Sequence, residues 1–211
     1  MHPLLLLDFF GIVVFAISGT LKASRNRMDV LGCVFVGTMT GIGGGTVRDV
    51  LLGATPVFWI DKPVYVLLCL AGAGLALGAS WLGLRRAPYI NWADAVGLAV
   101  FAVLGTQAAL QAGAPALPAV VLGAITATFG GIVRDLLCAE VPLVLRGEIY
   151  ATAALVGGAA FVLVQSLGLG GDVAALLGAL AAFLVRAAAI AFGLSLPRMR
   201  PATATRPSDM R

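Results

Sequence analysis

Two segments of the sequence combine clustered glycines with charged residues in otherwise apolar surroundings. The first is GIGGG at 41–45, followed by Arg48-Asp49, and the second is Gly130-Gly131, followed by Arg134-Asp135. An ionised side chain inside a membrane-spanning helix costs at least about 2.5–3.5 kcal/mol and usually serves a pathway or pairs with another charge. We therefore expect these four charges either to line a route for an ion or small polar solute, or to form structural ion pairs.

The glycines predict local weakness in the helices that carry the charges. Each glycine destabilises a helix by roughly 1 kcal/mol relative to alanine, so both segments are expected to be kinked or briefly unwound. Backbone groups freed in this way are tolerated in a membrane only where protein or a water-filled cavity satisfies them. The pattern thus favours a pathway at Gly43, Gly44, Gly45, Gly130 and Gly131, with close helix packing as the alternative.

Five further polar residues fall within apolar segments: Asp8, Thr40, Asp94, Thr126 and Arg186. The two threonine hydroxyls either line the pathway or bond the carbonyl four residues earlier in their own helix. Adjacent helical residues point about 100° apart, so each motif arginine is expected to pair across helices, with Asp8 and Asp94 as candidates. Arg186 also requires a partner, which the sequence does not identify.

The elements that position these residues are predicted to be transmembrane helices. The chain has 211 residues, of which 60% are apolar and 11% charged, against about 25% charged in soluble domains. Seven apolar segments approach the length of about 20 residues that spans a bilayer: 4–21, 30–53, 63–84, 92–111, 117–139, 148–169 and 172–196. The first segment lacks the basic start and cleavage site of a signal peptide, so we expect it to be retained. The predicted fold is an all-α integral membrane protein with seven transmembrane helices.

The two motifs belong to an internal duplication with an offset of 86 residues. Asp8 aligns with Asp94, Gly19-Thr20 with Gly105-Thr106, Pro56 with Pro142, and the GG-x-x-RD motifs with each other. Each copy holds three spans, an odd number, which predicts an inverted repeat of the kind found in transporters and channels. We expect one transmembrane domain over 1–196 (repeats at about 4–84 and 90–169, a seventh helix at 172–196) and a disordered tail over 197–211.

Basic residues are distributed unevenly between the predicted loops. Only Lys62 falls on the side of the N-terminus, whereas the opposite side holds Lys22, Arg25, Arg27, Arg85, Arg86, Arg146, Arg198, Arg200, Arg206 and Arg211. Positively charged loops stay in the cytoplasm, so the N-terminus is predicted outside and the C-terminus inside. The basic face can also attract membrane lipid, and no nucleic-acid partner is expected.

Other classes of chemistry have little support in the sequence. Cys33, Cys69 and Cys138 lie in apolar segments without CxxC spacing, and the single histidine is His2. We therefore expect no cofactor, no bound metal beyond permeating ions, no disulfide and no enzymatic activity. Because each motif arginine comes with an aspartate, charge alone does not choose between a cation, an anion and a zwitterion.

The segments GIGGGTVRDVLLG at 41–53 and FGGIVRDLLC at 129–138 resemble the prokaryotic trimeric intracellular cation (TRIC) channels, a family that overlaps the tandem domain often labelled a glycine transporter. The resemblance extends from Asp8 to about Leu196. It implies a homotrimer in a bacterial plasma membrane, with a pore through each protomer that passes monovalent cations, chiefly potassium. The kinked second and fifth helices would line this pore.

The alternative function is a secondary transporter of a small amino acid such as glycine. In either case Gly44→Leu or Gly131→Leu is predicted to abolish flux while leaving assembly intact.

Overall fold

The computed structural model describes residues 3–82 and 87–197, and these residues form α-helices and connecting loops. The helices are α1 (Pro3–Arg25), α2 (Val30–Leu52), α3 (Phe58–Asp61), α4 (Val64–Trp81), α5 (Ala87–Gln111), α6 (Ala116–Leu137), α7 (Ala151–Ser166) and α8 (Gly171–Phe192), with a 3₁₀ turn at Leu143–Leu145. Arg85, Arg86 and residues 198–211 of the predicted tail lie outside the described residues.

Six helices are long and apolar enough to cross a membrane: α1, α2, α4, α5, α6 and α8. The chain is therefore an all-α membrane protein. Helix α7 has only 16 residues and is about 24 Å long, short of a hydrocarbon core of about 30 Å. The segment predicted at 148–169 begins later as a helix, because Glu148 and Ile149 bind the side chain of Arg186 instead of continuing a helical turn.

The ends of α2 follow from local sequence. The carboxylate of Asp29 accepts a hydrogen bond from the backbone N–H of Gly32 at 2.6 Å and so caps the first turn. Gly53 ends the helix with a φ of 67°, a left-handed conformation that glycine adopts at little cost. The sequence did not indicate the short helix α3 that follows.

Helices α1 and α5, the first of each predicted repeat, pack together at the centre of the bundle. Their Phe15 and Phe101 rings lie 5.1 Å apart. Helices α2 and α4 pack on α1, whereas α6, α7 and α8 pack on α5. Helix α2 also crosses α6. We call the end where α1 begins and α2 finishes the Asp8 end, and the opposite end, where α1 and α6 finish, the Lys22 end.

The crossing of α2 and α6 depends on glycine. A β-carbon on Gly44 would overlap the carbonyl oxygen of Thr126, and one on Gly130 would overlap the carbonyl oxygen of Thr40. Both helices continue without interruption through these glycines, so the predicted local unwinding is not found. Close packing, the alternative drawn from the sequence, explains why bulkier residues are absent here.

Candidate functional site

The first motif lies at the Asp8 end, where Arg48 pairs with its own neighbour. The Nε and Nη2 atoms of Arg48 each lie 2.8 Å from Oδ1 of Asp49. The prediction of a partner on another helix was therefore wrong for Arg48, because its long side chain reaches back to the adjacent carboxylate. The other oxygen of Asp49 accepts a hydrogen bond from the backbone N–H of Phe58 at 2.9 Å, which fixes the start of α3.

The second motif repeats this arrangement at the Lys22 end. Arg134 Nε donates to Asp135 Oδ1 at 2.9 Å, and Asp135 Oδ2 accepts from the backbone N–H of Leu143 at 3.0 Å. In both motifs, then, the aspartate joins its arginine to the connector that follows the helix. The shared local geometry explains why both charged residues occur in each copy.

Arg134 differs from Arg48 in having partners on other helices. It forms a short ion pair with Asp94 of α5, as predicted, and donates to Ser18 Oγ of α1 at 2.8 Å. The guanidinium side chain is 1% exposed, and Tyr150 completes the cluster with a hydroxyl 3.3 Å from Asp94. Four charges and two hydroxyls thus fill the interior at this end when Lys22 is included.

Lys22 is buried in α1 and closes the cluster toward the end of the bundle. Its Nζ lies 2.9 Å from Glu140 Oε2 and 3.6 Å from Asp135 Oδ1. Partial burial would raise the pKa of Glu140, but hydrogen bonds from Lys22 and Arg146 prevail and lower it to about 2. The sequence reading counted Lys22 as a loop charge, whereas the structure places it inside the helix, where it is 6% exposed.

The opposite end contains a cavity instead of a filled cluster. It has a volume of about 400 Å³ and is lined by Leu4, Leu5, Asp8, Arg48, Leu104, Gln107, Ala108 and Gln111. This is room for roughly a dozen water molecules at about 30 Å³ each. Asp8 accepts a hydrogen bond from the hydroxyl of Tyr65 at 2.6 Å. Asp8 and Arg48 therefore both line the cavity, but each is paired with another residue.

The two predicted threonines lie at the α2–α6 crossing with their hydroxyls directed at their own helices. Thr40 donates to the carbonyl of Val36 at 2.6 Å, and Thr126 donates to that of Leu122 at 2.7 Å. These are the intrahelical bonds of the second alternative drawn from the sequence. Both side chains are fully buried, so neither hydroxyl borders an open passage.

Arg186 of α8 finds its partner in the connector before α7. Its Nη2 donates to Glu148 Oε2 at 2.7 Å and its Nη1 to the carbonyl of Ile149 at 3.2 Å. The guanidinium also lies over the ring of Tyr150, 5.1 Å from the ring centroid. This charge therefore fastens α8 to the Lys22 end of the bundle.

The described residues show no grouping of three or more potential metal-ligating side chains. The cysteines at 33, 69 and 138 are free and buried. The groups that the structure brings together at the two ends are charged pairs, hydroxyls and amides, beside a water-accessible cavity.

Several residues of the site escaped the sequence reading: Ser18, Lys22, Tyr65, Gln107, Gln111, Glu140, Glu148 and Tyr150. The duplication held one usable signal, since Lys22 aligns with Ala108 and Glu140 with Ala54. A charged residue in one copy that aligns with alanine in the other indicates that the two ends of the molecule differ. The tyrosines and glutamines carried no comparable signal.

Comparison with known proteins agrees with this architecture. A family model described as glycine transporter matches residues 5–81 and 91–166. The structure superposes on that of a TRIC trimeric intracellular cation channel orthologue from Rhodobacter sphaeroides with a TM-score of 0.86 and 48% identity, covering 92% of this chain and all of that one. This chain belongs to the prokaryotic TRIC channel family.

Further relatives place this TRIC family member among bacterial membrane proteins. A prokaryotic TRIC channel solved in 0.5 M KCl is 35% identical, with a TM-score of 0.84 over 92% of this chain and 98% of that one. The UPF0126 membrane protein of Vibrio cholerae is 43% identical over 92% of this chain and 82% of its own length. The UPF0126 inner membrane protein YadS of Escherichia coli is 41% identical, with coverage of 90% and 93%.

Proposed function

We propose that the protein is a channel for monovalent cations, chiefly potassium, in which each protomer of a homotrimer contains its own pathway. The observation that carries the proposal is the water-accessible cavity at the Asp8 end, which opens beside one of the duplicated Arg-Asp pairs. Solved relatives at 34–48% identity are TRIC channels, and the names of two describe cation channels. A cavity that exposes a carboxylate next to a neutralised arginine suits the capture of a hydrated cation.

The proposed membrane arrangement has seven crossings, with α7 as the shortest. A short crossing is accommodated by local thinning of the bilayer at modest cost. Two features support an inverted duplication over 4–84 and 90–169 with an extra helix at 172–196: the matching Arg-Asp-connector bonds at opposite ends, and the reciprocal contacts of Gly44 and Gly130.

The proposed location is the plasma membrane of a bacterium, with the N-terminus outside and the C-terminus in the cytoplasm. The Lys22 end then faces the cytoplasm, in keeping with its excess of basic residues. The Asp8 cavity would open to the outside.

The proposed pathway runs from this cavity along the α2–α6 crossing to the Lys22 end. It passes Thr40, Gly43, Gly44, Gly45, Arg48, Asp49, Thr126, Gly130, Gly131, Arg134 and Asp135. Since Gly44 and Gly130 pack directly on the facing backbone, conduction requires α2 and α6 to bend or separate there. Glycines lower the cost of such bending, and this is the role we propose for the predicted kinks.

Recording from the purified protein in a planar bilayer under a potassium chloride gradient tests the proposal. We expect discrete openings that reverse near the potassium equilibrium potential. The sequence alternative, a secondary transporter of glycine, predicts instead a silent bilayer together with saturable glycine uptake and counterflow in liposomes. The solved relatives favour the channel, and the transporter result would overturn it.

A further inference from the structure

The two ends of the molecule occupy equivalent positions in the duplication but differ in chemistry, and the inference drawn from this difference rests on the proposed channel function. Each residue of the first copy corresponds to the residue 86 positions later. Helix α5 lines the cavity at the Asp8 end with Leu104, Gln107, Ala108 and Gln111. At the other end, Ser18 and Lys22 of α1 correspond to Leu104 and Ala108.

Ser18 and Lys22 occupy the space that remains open at the Asp8 end. Ser18 accepts a hydrogen bond from Arg134 at 2.8 Å. Lys22 lies 2.9 Å from Glu140 and 3.6 Å from Asp135. Where the first motif borders water, the second is therefore covered by polar side chains of α1.

Further hydrogen bonds join the end of α1 to the connector after α6 at this end. Asn26 donates to the carbonyl of Cys138 at 2.9 Å, next to the pair of Lys22 and Glu140. In the other half, Asn26 corresponds to Ala112, Lys22 to Ala108 and Glu140 to Ala54. Alanine side chains cannot form such bonds, so these three positions provide no equivalent connection at the Asp8 end.

We infer that Lys22 and Glu140 are the gate of the pathway at the Lys22 end, holding it closed by fastening α1 to the connector after α6. The side chain of Glu140 is 30% exposed while that of Asp135 is fully buried. Water can thus replace the bond of Lys22 to Glu140 as α6 moves away, which makes this pair easier to separate than the buried cluster behind it.

The decisive experiment replaces the two charged residues of the Lys22 end by the residues that occupy the equivalent positions at the Asp8 end. The double variant Lys22→Ala, Glu140→Ala installs the alanines found at 108 and 54. We expect the ratio of open to closed time in single-channel recordings to rise by roughly 10-fold to 100-fold, the range for the loss of a hydrogen bond between charged groups. Lys22→Arg keeps the pair and should stay near the wild-type ratio.

Arg25→Ala is the matched control, because it removes an equal charge from the same end of the same helix. Arg25 is exposed, and we expect no change in open time. A shift equal to that of the double variant would mean that general loss of positive charge is responsible, and would contradict the gate.

Glu140→Ala alone is recorded in parallel and decides the question if the double variant does not assemble. If wild-type channels conduct and Glu140→Ala has the same open time as wild type, the gate is overturned but the proposed function stands. No cation current from either wild type or the assembled double variant would overturn the proposed function itself.

Discussion

The arginines of the two motifs occupy equivalent positions in the duplication, yet the structure predicts very different costs for removing them. Arg134→Met would leave Asp94 and Asp135 without their central cation, in a cluster where the arginine is 1% exposed. Breaking a buried charged pair in this way costs about 3–5 kcal/mol. Arg48→Met removes a single partner of Asp49 beside a cavity, where the arginine is 15% exposed, and we expect a cost of about 1 kcal/mol.

Thermal unfolding of the detergent-solubilised protein measures this difference, with each variant serving as the control for the other. For a chain of this size, about 1 kcal/mol corresponds to roughly 2–4 °C. Arg134→Met should therefore lower the apparent melting temperature by roughly 6–20 °C, and Arg48→Met by roughly 4 °C or less. Equal shifts would refute the conclusion that the two ends differ, and a larger shift for Arg48→Met would reverse it.

Three further predictions concern packing, the cavity and pH. Gly44→Ala should lower the melting temperature because the added β-carbon meets the Thr126 carbonyl. Gly74→Ala, with no atom within 4 Å of the added carbon, should leave the melting temperature unchanged or raise it slightly. Equal effects of the two substitutions would exclude close packing at the α2–α6 crossing. Asp8→Asn should reduce potassium current without altering folding, since asparagine can still accept the Tyr65 hydrogen bond. The control, Asp61→Asn on the exposed surface of α3, should conduct normally. Unaltered current in Asp8→Asn would show that the Asp8 carboxylate is not part of the pathway. The pKa of Glu140 is about 2 in the folded protein, against an ordinary value of 4.5. The melting-temperature difference between wild type and Glu140→Gln should therefore be constant above about pH 5 and shrink as the pH falls from 4.5 to about 2. A difference that already falls between about pH 8 and 6 would contradict the pair with Lys22.

Composition and the length of the apolar segments were enough to predict an all-helical membrane protein and most helix positions. Apolar segments of about 20 residues are strong signals, and α2 and α6 begin and end within two residues of the predicted bounds. The 16-residue α7 was predicted too long, because apolar composition continues beyond both of its ends while the helical conformation does not. Hydropathy reports the preference for lipid and says little about where a helix stops.

The glycine clusters lie at the crossing of α2 and α6, but the predicted local unwinding is not found there. Helix propensity suggested a break, whereas packing against Thr126 and Thr40 keeps both helices intact. For the same reason Gly44→Leu is now expected to disrupt folding and not, as the sequence suggested, to block flux in an intact assembly. Propensity within one helix could not reveal that the facing backbone approaches this closely.

The partners of the charges were the hardest feature to predict. Asp8 and Asp94 were the two candidate partners drawn from the duplication, and the structure pairs Asp94 with Arg134. Glu140 and Glu148 were not identified because they lie at or beyond the ends of the predicted spans, where a carboxylate can be solvated and needs no buried partner. Their pairing with Lys22 and Arg186 depends on how the connector after α6 folds back over the helix ends.

The central claim, a separate cation pathway through each protomer, is tested most directly by blocking the Asp8 cavity one protomer at a time. Ala108 lines this cavity, and the native cysteines at 33, 69 and 138 are buried. In Ala108→Cys, a bulky cationic thiol reagent applied from the Asp8 side should reduce the current of a single trimer in three equal steps, while wild type is unaffected. Loss of all current in one step would indicate a single shared pore, and an undiminished current despite complete labelling would show that ions do not pass through this cavity.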